Sequence, residues 1–260
     1  MWFKNKKVIQ FNRMLSLDSI GELKTRKAIY EFFEPDNLLS MMPYWVGESP
    51  ILHLPHDILV MAGGHFYSSQ SHPFLKALFK GRIELEKFYE QFSPNNILDM
   101  YGLEPEGLLG EDLPPWEIPW LFRNRVAPSP EGSLGREHGV SFYGPVSKEK
   151  IELEMSRLIS VVKSIKKKGY IPSVSGHIEG FFLKNNNEYR FFILGGKHRA
   201  AALIFLKNER IPVRIRSTVP KVVDINDASN WPLVKSKVMS EALAKKVFNR
   251  YFSCSDSLKK

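Results

Sequence analysis

The chain has 260 residues, enough to bury a full core as one large domain or two small ones, and 43% hydrophobic against 25% charged residues is the balance of an ordinary globular protein. A single cysteine, Cys254, excludes an intramolecular disulfide and a cysteine-based zinc site, and no apolar run approaches the length of a bilayer span. The net charge of +9 concentrates between residues 145 and 220, where 15 Lys and Arg face 6 Glu and no Asp. An anionic ligand, a nucleic acid, an anionic membrane surface or a solvated basic face would each account for it.

The start MWFKNKKVIQFNRMLSL lacks the continuous apolar stretch of a signal peptide, so a cytoplasmic protein is the simple reading. Ser19-Ile20-Gly21-Glu22 fits a capping box opening a helix through about Phe33, which Glu34-Pro35-Asp36-Asn37 ends. Residues 41–56 read as irregular, and 58–62 as a buried strand running into Gly63-Gly64-His65. Helices are expected over 74–79 after His72-Pro73, over 83–92, and briefly over 95–103. Prolines crowd residues 104–145, so that segment reads as irregular, packed along the surface of the following domain and most mobile at 127–135.

Ser147 suits a helix cap, and Ile151, Met155, Leu158, Val162 and Ile165 recur as one apolar stripe, with Lys166, Lys167 and Lys168 at the carboxyl end and Gly169 as the stop. Residues 177–183 and 189–194 read as a hairpin across 184–188. Gly195 and Gly196 then turn the chain into a helix that Lys197, His198 and Arg199 open and the apolar run 200–206 continues. Ile211, Val213 and Ile215 alternate with Pro212 and Arg214, as in an edge or half-exposed strand. Beyond Ser217, residues 219–225 suggest one more strand, Trp231-Pro232 a turn, and Met239, Leu243, Val247 and Tyr251 the buried stripe of a last helix.

A glycine turn feeding a helix N-terminus, with three basic groups in the first turn, suits a phosphate: cations there oppose the helix dipole, and an anion relieves the conflict. At these residues, Gly195-Gly196-Lys197-His198-Arg199 with the alanine-rich helix and Ile211-Pro212-Val213, the chain resembles the ParB/sulfiredoxin superfamily. The likeness runs from about Phe142 to Ser217, with Tyr143-Gly144-Pro145 standing where that family has its proline box. It implies an α/β (α+β) fold whose Gly-x-x-Arg turn grips nucleotide phosphates. Three segments are expected: a helical and irregular region over 1–135, a ParB/sulfiredoxin-like nucleotide-binding domain over 136–220, and a C-terminal extension with one helix over 221–260.

Within that superfamily the residues discriminate. Sulfiredoxins place a catalytic cysteine where Lys197 stands, which argues against sulfinic-acid reduction. ParB proteins carry two adjacent arginines where this chain has His198-Arg199, and a helix-turn-helix domain downstream for which the residues after Pro220 leave no room. The Gly-x-His-Arg form is closest to the kinases of free serine. The resemblance therefore implies ATP or another NTP, with Mg²⁺, bound by Gly195, Gly196, Lys197, His198 and Arg199, and phosphoryl transfer to a small hydroxyl-bearing metabolite. The alternative is a ParB-like nucleotide- or nucleic-acid-binding module without turnover.

A kinase needs a proton acceptor for the hydroxyl. Glu137 beside His138, in a glycine-flanked loop, is the catalytic candidate; Glu149, Glu152 and Glu154 are nearby, the last two read as solvated helix charges. Arg199 has an alternative role as partner of a carboxylate, and His198 as a capping histidine. His53-Leu54-Pro55-His56-Asp57 has no recognised metal-ligand spacing, and no metal site is assigned.

Overall fold

A computed structural model describes residues 49, 51–104, 113–121, 134–140 and 142–253, all within one compact unit, Val46–Lys260. The helix expected after Ser19, residues 127–133 of the stretch 127–135 and Cys254 lie outside the described residues. The architecture is mixed α/β. Strands β1 (Ile51–Pro55), β2 (Leu59–Met61), β3 (His65–Phe66), β4 (Ile178–Asn185), β5 (Glu188–Gly195), β6 (Arg210–Ile215) and β7 (Val222–Asp224) make one mixed sheet, ordered β1-β6-β4-β5-β2-β3 with β7 paired to β4.

The hairpin β4–β5 is its centre. Phe181 pairs with Phe192 and Phe182 with Phe191 in antiparallel register. Asn186, one of few residue types that tolerate a left-handed conformation, takes φ +52° in the tight turn between the strands. On either side the sheet continues in parallel, β6 and β7 along β4 and β2 along β5. Two expectations change here. Residues 51–55, read as irregular, form β1 and pair antiparallel with β6. This makes β6 an interior strand rather than an edge, while its expected half-exposed alternation holds, with Ile211, Val213 and Ile215 buried and Pro212 opposite His53. Short alternating runs such as ILHLP become strands only when a partner is present, which local sequence does not report.

Helices α1 (Pro73–Lys80), α2 (Ile83–Gln91) and α3 (Ile97–Tyr101) fall where proline, glycine and asparagine signals place them. His72 and Asn96 cap α1 and α3 through their side chains. Helix α4 (Lys148–Lys168) begins at Ser147, whose hydroxyl accepts from Lys150 N at 3.1 Å, and stops at Gly169 with φ +78°. A short turn of helix, α5 (Pro172–Ser175), leads into β4. Helix α6 (Lys197–Phe205) leaves β5 directly and packs against α4 and α1. Ala200, Ala201 and Ala202 are fully buried along it, their small side chains permitting close approach of the neighbouring elements.

The opposite face of the sheet carries an aromatic core. Phe181, Leu183 and Phe192 meet Trp120, Trp231, Phe248 and Tyr251, the last two on or just past helix α8 (Glu241–Asn249). The expected stripe Met239, Leu243, Val247 and Tyr251 is buried to 1% exposure or less. Trp231-Pro232 opens a further short helix, α7 (Pro232–Lys235). The proline-rich segment sits deeper than its composition suggests: Leu113, Ile118, Trp120 and Leu121 are core residues, not a surface strap, and Pro119 O accepts from Leu233 N. Irregular backbone is buried here because its apolar side chains outweigh the lack of regular pairing.

Candidate functional site

The turn between β5 and α6 is built by glycine. Gly196 has φ +84°, and a Cβ there would stand 3.0 Å from Ile178 Cα and from Arg199 Nη2. Both the backbone conformation and the tight space make a larger residue strained here. Gly195 likewise leaves room for a guanidinium, since a Cβ would approach Arg216 Nη2 to 2.8 Å. Arg199 lies in the slot between Gly176 and Gly196 and makes its one hydrogen bond among the described residues to His177 O at 3.1 Å. It pairs with no carboxylate there, so the alternative role considered for it is not the one this geometry gives. One carbonyl occupies one of five donors, which leaves a fork of N–H groups beside the turn.

The five turn residues Gly195, Gly196, Lys197, His198 and Arg199 come together with Arg157 and Lys168 of α4 and with Tyr170, Ile171 and Val174 around a cavity of about 440 Å³. Its walls divide by chemistry. The turn and α4 bring cationic side chains, while Val161, Ile165, Ile171 and Val174 form an apolar lip. No carboxylate is among the described lining residues. Tyr170 ties the lip to the sheet, donating to Gly176 O at 3.0 Å and accepting from Ile178 N at 3.1 Å. Burial raises the Tyr170 phenol above its usual range, with Arg199 acting in the opposite direction, so it stays a neutral donor.

His198 is held from two sides. Its ring stacks on Phe74 of α1 at 4.4 Å and 19°, and Nε2 lies 2.7 Å from Glu154 Oε2. Glu154 has no exposure and shares its buried position with Lys150, one helical turn earlier, whose Nζ stands 3.1 Å from Oε1. That second approach is a charge contact rather than an aligned hydrogen bond. Burial by itself would raise the Glu154 carboxyl, but the hydrogen bond and charge of His198 with the charge of Lys150 bring it below the ordinary value. Reading Glu154 as a solvated charge is therefore a mistake that the structure corrects, whereas Glu152 is exposed and pairs with Arg82. A signal was present: 154 stands three residues after Ile151 and four before Leu158, within the buried stripe. The Lys197 ammonium lies 4.5 Å from the centre of the Phe142 ring.

A second histidine caps the start of α1. His72 is fully buried, its Nδ1 accepts from Phe74 N at 3.2 Å, and its ring lies 4.0 Å from that of Tyr67. Burial, followed by the charges of His65, Lys197 and His198, holds it well below the usual imidazole value and keeps it neutral.

Glu137 and His138 occupy a single 3₁₀ turn, Arg136–His138. The Glu137 side chain is 74% exposed, 3.7 Å from His138 Nε2, and His138 Nδ1 lies 2.8 Å from Ser147 Oγ, the hydroxyl that caps α4. Neither residue is among the described lining of the cavity. The structure gathers the five turn residues around one cavity and leaves this pair beside the start of α4. Among the described residues no group of three or more His, Cys, Asp or Glu is placed to hold a metal ion, and no helix is long and apolar enough to cross a membrane. No protein-family model matches the chain, and none of the curated proteins compared with it is significantly similar.

Proposed function

We propose that the chain binds a nucleoside triphosphate through its phosphates at residues 195–199 and passes a phosphoryl group to a small hydroxyl-bearing metabolite, in the manner of the ParB/sulfiredoxin superfamily. The observation that carries the reading is the left-handed Gly196 turn, which opens α6 with three basic residues at the mouth of a cavity lined by two further cations, Arg157 and Lys168. Backbone N–H groups at a helix N-terminus point along the positive end of its dipole, and an anion there offsets the clustered charge. Arg199 supplies a planar fork for phosphate oxygens, and the apolar lip of Ile165, Ile171 and Val174 offers a surface for a flat base. Mg²⁺ is expected to arrive with the phosphates, whose charge it would share with these cations.

A second reading, binding without turnover, is favoured by one observation: the described lining of the cavity contains no carboxylate to accept a hydroxyl proton. Glu137 serves the enzymatic reading only if a bound acceptor reaches it from the cavity. Both readings share the phosphate site and are tested together first. Melting of the full chain is followed with ATP, ADP, CTP and GTP, with and without Mg²⁺, for the wild type and Arg199→Ala. A nucleotide at 100 times its dissociation constant adds about 2.7 kcal/mol. The expected outcome is a shift with a triphosphate that is much reduced in Arg199→Ala, each variant being compared with its own unliganded melting. No shift with any nucleotide overturns the proposal; a shift without phosphate release or transfer selects the binding module.

A further inference from the structure

The two most deeply buried charges near the turn have no part in gripping phosphate. Lys150 and Glu154 are 1% and 0% exposed, on the face of α4 that also buries Ile151 and Leu158. Burying two charges costs more than their attraction returns unless the geometry is excellent, and apolar residues would serve the core better. Their position relative to His198 offers a reason for them. An ionised carboxylate only accepts hydrogen bonds, so at 2.7 Å from Glu154 Oε2 the His198 Nε2 is the donor. With Nε2 committed and one ring face covered by Phe74, the orientation of the imidazole is fixed. Lys150, together with Arg157, whose Nη1 lies 3.8 Å from the same Oε1, compensates the carboxylate, so that Glu154 can stand behind the turn without repelling an anion in front of it.

We propose that Glu154 is a positioning residue of the phosphate site, which with Lys150 fixes the His198 ring so that Nδ1 is the nitrogen left to meet a ligand at the turn, donating to a phosphate oxygen from a ring that carries a hydrogen on both nitrogens. This rests on the phosphate reading of residues 195–199. It assigns the buried pair a role in binding that neither the turn motif nor the loop at Glu137 supplies.

The test uses the full chain with ATP and with tripolyphosphate as probes. Glu154→Gln keeps an oxygen acceptor for Nε2 but removes the charge, and leaves Lys150 uncompensated. The double variant Glu154→Leu with Lys150→Met removes both charges and replaces them by core-compatible side chains, so that it folds even where the single variant does not. In the wild type, nitrogen-resolved NMR of the His198 ring is expected to show a hydrogen on Nε2 that is protected from exchange and, with either probe bound, a second hydrogen on Nδ1. In the double variant that protection disappears, and affinity for both probes falls about 10-fold to 100-fold while melting of the unliganded protein is maintained or raised. Glu154→Gln is expected to lie between the two in ring protection and affinity. Unchanged affinity in the folded double variant, or a wild-type ring hydrogen on Nδ1 alone, overturns the inference while the phosphate reading survives. Failure of the wild type to bind either probe overturns both.

Discussion

Two Glu–His pairs stand near the start of helix α4, and they differ in every respect that matters for chemistry. Glu137 and His138 are adjacent in sequence, lie 3.7 Å apart in one 3₁₀ turn, and the glutamate is 74% exposed. Glu154 and His198 are 44 residues apart, meet at 2.7 Å, and the glutamate has no exposure at all. The first pair is easy to find but weakly coupled: Ser147 holds the His138 ring, while water competes for the exposed Glu137 carboxylate. The second is invisible as a motif, yet two helices and the Phe74 ring determine its geometry. Sequence proximity located a plausible pair; burial located the one whose disruption has consequences.

The largest expected contrast follows from that difference. Glu154→Ala leaves Lys150 uncompensated in the core and removes the partner of His198, so it should destabilise the protein by about 3–5 kcal/mol. Glu137→Ala should change stability by no more than about 0.5 kcal/mol. Urea unfolding of the two variants side by side measures both, and equal losses would break the comparison. Acid provides the next effect. His72 titrates well below its unfolded value of 6.5, and His65, buried against Phe88 and Phe92, is lowered to about 4, chiefly by burial and then by Lys76.

Below pH 6.5 the unfolded chain therefore binds more protons than the folded one. Stability falls with pH by up to about 1.4 kcal/mol per unit for each histidine. Glu154 acts in the same direction at lower pH: its folded value is depressed, so its contribution is present above the unfolded value near 4.5 and is lost as pH falls through the folded value. His72→Asn retains a side-chain acceptor for the α1 cap but cannot titrate, and the slope of stability between pH 6.5 and 5 should flatten in it. A slope equal to the wild type would remove His72 from the account.

Gly196→Ala sharpens the comparison from the side of the turn. The left-handed backbone and the 3.0 Å approach to Ile178 Cα make a loss of about 1–3 kcal/mol the expected result. The same variant should weaken any triphosphate-induced shift, because His198 and Arg199 move with the turn they flank. A variant as stable as the wild type, with its nucleotide response intact, would show that the turn tolerates a side chain and is not tuned as described.

The sequence by itself determined the elements whose causes are local. Ser147 caps α4 and Gly169 ends it, His72-Pro73 starts α1, the asparagine turn joins β4 to β5, and the two glycines before Lys197-His198-Arg199 mark the turn into α6. Each depends on backbone conformations and capping groups within a few residues, so each could be read from the chain in order. Only the tertiary structure decided what depends on distant partners. It made residues 51–55 a strand by setting them against β6, and it buried Trp120 and Leu121 in the core rather than along a surface. It also turned Glu154 and Lys150 inward to meet His198. Periodicity shows which residues share a helix face, but not what will stand opposite that face. A carboxylate on a buried stripe is a defect or a device according to whether a histidine from another helix arrives to meet it, and that is settled by packing.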